Sequence, residues 1–310
     1  MTTKNKILVT GGNGLLGSQI IKLLKDNNSN YLSCSSKSLD LINYSKIDSF
    51  FKKNKPTHVI HTANKVYGIG GNNKRRFEMI NENLIINSNL LKACKKYKIK
   101  KITCIGSSAV YSEKYKNKIK EQNIFKHSPH SSEFFYGISK RVMLHQLKAL
   151  KDQTKIKICY IVMNNLYGIN DNFNTENGHV VPSLIHKFYL AKKRGSSVKL
   201  WGSPKTKRCL LYSKDAARMI LEIAKKNIQV INLSSINEIT IGQLAKMISK
   251  TYNFNGKITW EKKIFKGVDR RKLDTSLQTK FKIKEEYSLK KGLTETIEWF
   301  NKNYQKKVRK

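Results

Sequence analysis

Short apolar runs alternate with longer stretches of helical periodicity through the first half of the chain. Lys6–Thr10 (KILVT) ends in glycines and reads as a buried strand. Gly14–Asn27 follows, with Leu15, Leu16, Ile20, Ile21, Leu23 and Leu24 at helical spacing. Tyr31–Cys34, Thr57–Thr62 (THVIHT), Lys101–Ile105 (KITCI) and Lys157–Val162 (KICYIV) read as further strands. Phe77–Tyr97 and Phe135–Leu150 read as amphipathic helices between them. Apolar strands that alternate with helices predict an α/β fold, a Rossmann-like doubly wound parallel sheet.

The pattern changes near residue 165. Asn164–Asn177 is rich in Asn and Gly and reads as a long loop. Val181–Lys193, Ile241–Tyr252 and Gly292–Tyr304 read as helices, and Val198–Trp201 and Gln229–Leu233 as short strands. Residues 1–165 are therefore expected to form the Rossmann domain. Residues 166–310 are expected to form a smaller C-terminal α/β lobe, with segments that return to the first domain. The Lys-rich tail Lys306–Lys310 is expected to fray.

Composition narrows the function classes. At 39% hydrophobic over 310 residues the chain has enough apolar side chains for a sizeable core and too many for a disordered protein. Lys+Arg is 61 against Asp+Glu 21, a formal net charge of +40, and a basic patch is the usual footprint of a nucleic-acid binder. Only nine of those cations are Arg, the residue of bidentate base and phosphate recognition, and the 52 Lys are spread along the whole chain. The excess reads as solvated surface, and nucleic acid is not the expected partner. Cys34, Cys94, Cys104, Cys159 and Cys209 form no CxxC or CxxH pair, so no metal site is expected. Reduced buried thiols point to a cytoplasmic protein, as does a strand directly after Met1-Thr2-Thr3-Lys4. No apolar stretch approaches the roughly 20 residues that span a bilayer.

Two constellations carry chemistry. Thr10-Gly11-Gly12-Asn13-Gly14-Leu15-Leu16-Gly17 lies between the first strand and the first helix. Its glycines permit a tight turn and a close approach to a pyrophosphate at the helix N-terminus, where free N–H groups and the helix dipole favour anions. The second strand ends in Cys34-Ser35-Ser36-Lys37 without an acid, so Ser36 and Lys37 favour the 2′-phosphate of NADP over NAD; Asp40 would face the adenine. Tyr136-Gly137-Ile138-Ser139-Lys140 puts Tyr136 and Lys140 one helical turn apart on one face. A Lys ammonium beside a phenol would lower its pKa and make Tyr136 a usable acid/base. Gly106-Ser107-Ser108 ends the fourth strand, where side chains of a doubly wound sheet face the ligand crevice.

Together, TGGNGLLG, GSS and YGISK resemble the extended short-chain dehydrogenase/reductase family. The nearer resemblance, within it, is to the GDP-L-fucose synthases. It rests on Thr62-Ala63-Asn64-Lys65-Val66, Gly71-Asn72-Asn73, Asn164-Asn165-Leu166-Tyr167-Gly168, Asp171-Asn172-Phe173-Asn174, Gly178-His179-Val180-Val181-Pro182 and Trp201-Gly202-Ser203. The resemblance implies an NADP(H)-dependent enzyme that epimerises C3 and C5 of GDP-4-keto-6-deoxymannose and reduces its C4 ketone, as a homodimer paired through the two long helices. It implies that Tyr136 donates a proton to the C4 oxygen, that Ser107 hydrogen-bonds that oxygen, and that Lys140 tunes Tyr136 and holds the nicotinamide ribose. His179 would be the epimerase acid/base, and Asn83 would support Lys140. The cofactor set so implied is Gly11, Gly14, Leu15, Leu16, Gly17, Ser36, Lys37, Asp40, Gly106, Ser107, Ser108, Lys140, Asn164, Asn165, Leu166 and His179. Lys187, Trp201 and Arg208 would hold the nucleotide diphosphate.

Two departures stand out. Ala109 occupies the place of the family's Cys, the partner acid/base of His179, and Lys266 replaces the Asp of a KPDG-like turn. Inverting a carbon needs a base on one face and an acid on the other, and a methyl group is neither. The expectation is an intact reductase with a weakened or absent epimerase. The rivals are a single-function C4 reductase for another GDP-4-keto sugar such as a 6-deoxy-heptose, and an idle scaffold that binds nucleic acid or protein. Retention of both Tyr136 and Lys140 speaks against the scaffold.

Overall fold

The computed structural model describes residues 5–66, 74–115, 117–176, 178–261 and 267–304. The first half supplies strands β1 (Ile7–Thr10), β2 (Tyr31–Cys34), β3 (His58–His61), β4 (Lys101–Ile105) and β5 (Lys157–Met163). Its helices are α1 (Leu15–Asp26), α2 (Tyr44–Asn54), α3 (Arg76–Lys96) and α4 (Phe134–Gln153). The second half supplies β6 (Asn165–Tyr167), α5 (Val180–Arg194), β7 (Val198–Trp201), β8 (Lys207–Tyr212), α6 (Ser213–Lys225) and β9 (Val230–Leu233). After these come β10 (Glu238–Thr240), α7 (Ile241–Thr251), β11 (Ile258–Glu261), α8 (Ser276–Lys280) and α9 (Leu289–Asn303).

Six strands form one sheet in the order β2-β1-β3-β4-β5-β9, every pair parallel. The chain runs outward from β1 to β2, then crosses back to β3 on the other side of β1. That reversal opens a crevice beyond the carboxyl ends of β1 and β3, where a doubly wound sheet binds its ligand. Both faces are covered, so successive strand residues alternate between two cores. Leu8, Val59, Ile102 and Ile158 pack under α2, α3 and α4 with Phe51, Leu90, Met143 and Leu147. Val9, Ile60, Ile161 and Ile231 pack under α1 and α6 with Ile20, Leu24, Met219 and Ile220. Each such side chain contributes about 1.5–3 kcal/mol on burial, which makes the sheet a rigid base for groups at its edge.

A third core joins α5, α7 and α9 to the two smaller sheets, β10-β8-β6 and β11-β7. One expectation changes here. The long Asn/Gly-rich loop begins with β6, which pairs in parallel with β8 through Asn165, Leu166 and Tyr167. The run at 229–233 is a segment that returns to the first domain: it is β9, the edge strand of the main sheet beside β5. Helices α2 and α6 and strands β8, β10 and β11 were not expected from the pattern. In α2 only Ile47 and Phe51 are buried, one turn apart amid polar residues, too narrow a stripe to read without its neighbours.

All five cysteines are buried and free. Among the described residues no group of three His, Cys, Asp or Glu side chains is placed to hold a metal ion. No helix among them is long and apolar enough to cross a membrane. Lys306–Lys310 lies outside the described residues.

Candidate active site

The glycine turn joins β1 to α1 at the switch point. Gly11 adopts φ +72°, and a Cβ there would meet Ala63 and Thr62 of the segment after β3 at 2.9 Å. Only glycine allows that conformation and that approach at once. The Gly14 N–H donates to the Gly11 carbonyl at 3.0 Å, and the Gly12 N–H donates to the Cys34 carbonyl at 2.8 Å, fixing the turn against the end of β2. Gly17 faces the Gly11 carbonyl, where a side chain would collide. Helix α1 opens at Gly14 with no side-chain cap and no acid in its first turn. Its first N–H groups, those of Leu15 and Leu16 among them, thus present a positive end suited to a pyrophosphate. Ser36 and Lys37 are exposed in the turn that follows β2. Asp40 is engaged in its own turn, where its carboxylate accepts the Ile42 N–H at 3.0 Å. The residues present therefore fit a dinucleotide with a phosphorylated adenosine ribose.

Ser107, Tyr136 and Lys140 converge beyond the end of β4. Gly106 lies flat on the Tyr160 ring, which would clash with any Cβ there, and its N–H donates to the Ile161 carbonyl at 2.7 Å. Half-buried Ser107 then caps a short 3-10 turn at Ser108–Val110, accepting the Ala109 N–H at 3.2 Å. Ser108 is buried. Tyr136, on the first turn of α4, is 8% exposed. Its phenol oxygen accepts an N–H from the Asn64 side chain at 3.1 Å. Lys140 is 1% exposed; its Nζ donates to the Ile105 carbonyl at 2.9 Å and lies 5.8 Å from the centre of the Tyr136 ring.

The electrostatics correct one expectation. Tyr136 is not acidified by the neighbouring ammonium. Burial, reinforced by the Glu133 charge, raises its pKa well above the ordinary phenol value, against the smaller opposing pull of Asn64 and Ser107. Tyr136 is thus a neutral phenol, the protonation state a proton donor needs. Burial lowers the Lys140 pKa to about 8. Behind it, His61 is held neutral: burial and the nearby Lys140 charge lower its pKa to about 4. Its ring bridges Thr10 Oγ1 at 2.7 Å and Asn87 Oδ1 at 3.1 Å.

His179 approaches from the N-terminus of α5. Its Nδ1 stands 3.8 Å from the Asp171 carboxylate, which is 4% exposed. Partial desolvation of the ring, still 46% exposed, works to lower the His179 pKa, but the charges of Asp171 and Glu133 outweigh it and raise the pKa. Asp171 lay within a quoted motif, yet its role as partner of His179 was not legible there. Glu133, just before α4, was missed altogether. Burial would raise its pKa, but the Arg271 guanidinium at 2.7 Å holds it ionised, helped by Arg208 and His130. From this position its charge acts on Tyr136, His179 and Arg208 alike. Nothing at sequence level marks it, because residues 133, 208 and 271 meet only through tertiary packing.

The remaining expected residues fall into place unevenly. Lys187 Nζ sits 3.6 Å from the centre of the Trp201 ring, so those two form one cation–π pair. Arg208, on β8, donates to the carbonyls of Lys207 at 2.7 Å and Asp269 at 3.3 Å. Asn164 is buried, and its amide donates to Ser234 Oγ and to the Arg271 carbonyl, tying the end of β5 to the C-terminal segment. Asn165 and Leu166 belong to β6 instead of a free loop. Asn83 does not support Lys140. Its amide accepts the Lys65 N–H at 3.0 Å and donates to the Lys65 carbonyl at 2.8 Å, clamping the segment after β3. Ala109, 1% exposed, packs with Met79 and Tyr136. Gly71-Asn72-Asn73 and Lys266 lie outside the described residues.

A doubly wound sheet with a glycine turn, a strand-end Ser and a buried Tyr/Lys pair defines a dinucleotide-dependent enzyme of the short-chain dehydrogenase/reductase type. The family model described as "NAD dependent epimerase/dehydratase family" matches residues 7–234. The chain is similar to a GDP-L-fucose synthase from Dictyostelium discoideum, 31% identical over 98% of this chain and 98% of that one. A crystal structure of a GDP-L-fucose synthetase from Naegleria fowleri bound to NADP superposes with TM-score 0.89 at 29% identity, over 100% of this chain and 98% of the other. A GDP-mannoheptose C4 reductase from Campylobacter jejuni with NADP bound gives TM-score 0.85 at 25% identity, over 97% and 99%. The chain belongs to the NAD dependent epimerase/dehydratase family and, within it, to the group that includes the GDP-L-fucose synthases.

Proposed function

We propose that the protein reduces the C4 ketone of a GDP-linked 4-keto-6-deoxy sugar with NADPH, and that 3,5-epimerisation is weakened or absent. The observation that carries this reading is the neutral, buried Tyr136 phenol set between Ser107 and Asn64, with Ala109 beside it in place of a second acid/base. NADPH, when bound, supplies the hydride that adds to C4. Tyr136 gives its phenolic proton to the C4 oxygen as negative charge develops there, and Ser107 donates a hydrogen bond to that oxygen. Lys140 holds the nicotinamide ribose. The uncapped N-terminus of α1 takes the pyrophosphate, and Ser36 and Lys37 take the 2′-phosphate. Residues 1–165 hold the cofactor in this reading. Residues 166–310 hold the nucleotide sugar, with Lys187, Trp201 and Arg208 on its diphosphate. A cytoplasmic homodimer paired through α3 and α4 completes the picture; light scattering of the purified protein checks the dimer.

His179 keeps half of an epimerase: it is an imidazole whose protonated form the Asp171 charge favours. The opposite face lacks a partner, because the Ala109 methyl neither gives nor takes a proton. The test is incubation with GDP-4-keto-6-deoxymannose and NADPH in deuterated water. NADPH oxidation with little deuterium at C3 or C5 is expected. Deuterium entering those carbons as fast as reduction proceeds would overturn the epimerase part, and no NADPH oxidation would overturn the reductase part. Ala109 also favours a narrower alternative, a single-function C4 reductase of another GDP-4-keto sugar such as a 6-deoxy-heptose. A product assay on a panel of 4-keto sugars separates the two.

A further inference from the structure

The mechanism above leaves one polar group beside the reacting centre unused. Asn64 donates its amide N–H to the Tyr136 phenol oxygen at 3.1 Å, while its carbonyl oxygen is buried with no hydrogen-bond partner among the described residues. A phenol has one proton to give. Because an amide N–H can only donate, Asn64 occupies a lone pair of the phenol and leaves the phenolic proton free for the substrate. A buried acceptor left unpaired is costly, so its persistence beside a reacting group calls for a ligand.

The segment that carries Asn64 is fixed from both sides. Thr62 Oγ1 donates to the Thr10 carbonyl at 2.6 Å, and the Ala63 N–H donates to Thr10 Oγ1 at 3.3 Å. The Asn83 amide grips both the N–H and the carbonyl of Lys65. The backbone that carries Asn64 is therefore held beside the end of α4.

We propose that Asn64 is a specificity-determining residue whose carbonyl oxygen accepts a hydrogen bond from the hydroxyl on the carbon next to the ketone. This rests on the C4-reductase reading. In a 4-keto-6-deoxy hexose, C3 is the one ring neighbour of C4 that bears a hydroxyl. The two polar atoms of the amide share one carbon, so an amide that touches the phenol with its nitrogen presents its oxygen beside the position of the ketone. A 3-deoxy sugar would leave that oxygen unpaired and would be disfavoured.

The experiment compares kcat/KM for two GDP-4-keto sugars that differ only in the presence of the C3 hydroxyl. It uses the parent enzyme, Asn64→Ala and Asn64→Asp. The parent is expected to prefer the 3-hydroxy sugar about 30-fold, and Asn64→Ala to bring the two within about 3-fold with KM for NADPH unchanged. Asn64→Asp keeps an acceptor of the same shape but loses the N–H on the phenol. It should retain the preference while kcat falls for both sugars, a split that a merely structural role would not produce. An unchanged preference in Asn64→Ala, a lost preference in Asn64→Asp, or a parent indifferent to the hydroxyl would each overturn the inference. A parent that reduces neither sugar overturns the C4-reductase reading itself.

Discussion

The two sides of the site are built differently. On the reductase side, Ser107 ends a strand of the central sheet, Tyr136 and Lys140 share one helix face, and Asn64 follows the neighbouring strand. Each is locked by hydrogen bonds to backbone or to another member: Lys140 to Ile105, Ser107 to Ala109, Asn64 to Tyr136. On the side proposed for epimerisation, His179 is 46% exposed and its ion pair with Asp171 is long at 3.8 Å, while Ala109 packs with Met79 and Tyr136. Precise chemistry needs a supported geometry, and the hydrogen-bonded Asn64–Tyr136 and Lys140–Ile105 contacts supply more of it than the long His179–Asp171 pair. Under the proposed reading, one cleft would keep one reaction and lose another because the two draw on different elements.

The sharpest way to break the comparison is Tyr136→Phe. It should lower kcat for ketone reduction about 1000-fold, since a positioned acid contributes roughly 100- to 10,000-fold. NADPH binding, followed by fluorescence, should be unchanged. Next comes Ala109→Cys, which restores an acid/base opposite His179. Exchange of deuterium into C3 or C5 should rise about 100-fold, read by NMR of the product, if the epimerase side lacks only that group.

A smaller effect is expected with pH. Burial lowers the Lys140 pKa from 10.5 to about 8, so the enzyme should lose this cation as pH rises through 8. NADPH affinity should weaken above that point, and Lys140→Met should show weak binding with no such limb. The same shift predicts a stability trend. Between about pH 8 and 10.5 the unfolded chain binds more protons at this lysine than the folded one, so this residue makes stability rise with pH across that window. Denaturant titrations in this range check it, and Lys140→Met should remove the contribution. The smallest effect belongs to the epimerase side. Asp171→Asn should lower the His179 pKa, because the carboxylate is what raises it against burial. Histidine NMR titration measures the shift, and reduction at C4 should be little changed.

Much of the reductase side was legible along the chain. Gly11, Gly14 and Gly17 stand at fixed offsets between a strand and a helix, and Tyr136 and Lys140 lie one turn apart; both are local relations that spacing encodes. The role assigned to Asn83 was wrong for a local reason too. Its place on α3 was visible, but whether its amide meets Lys140 or the Lys65 backbone depends on how the segment after β3 folds over the helix. The acidity of Tyr136 was misjudged because the i, i+4 relation shows the ammonium and hides the burial. Of the +40 charge, Lys37, Lys187 and Arg208 alone among the residues discussed are assigned to phosphates; the structure gives no reason for the rest of the excess.

By itself the sequence determined the alternation of strands and helices, the glycine turn, the order of Ser107, Tyr136 and Lys140 along the chain and the absence of a thiol at Ala109. These follow from local propensity, periodicity and residue chemistry, which act over a few residues. Tertiary structure alone decided that β9 closes the main sheet and that β6 arises within the presumed loop. It also decided that Glu133 meets Arg271 across 138 positions, and that Asn64 reaches Tyr136 across 72. The physical reason is common to all four. Burial and long-range hydrogen bonds set charge states and partners, and both exist only once distant segments have packed together.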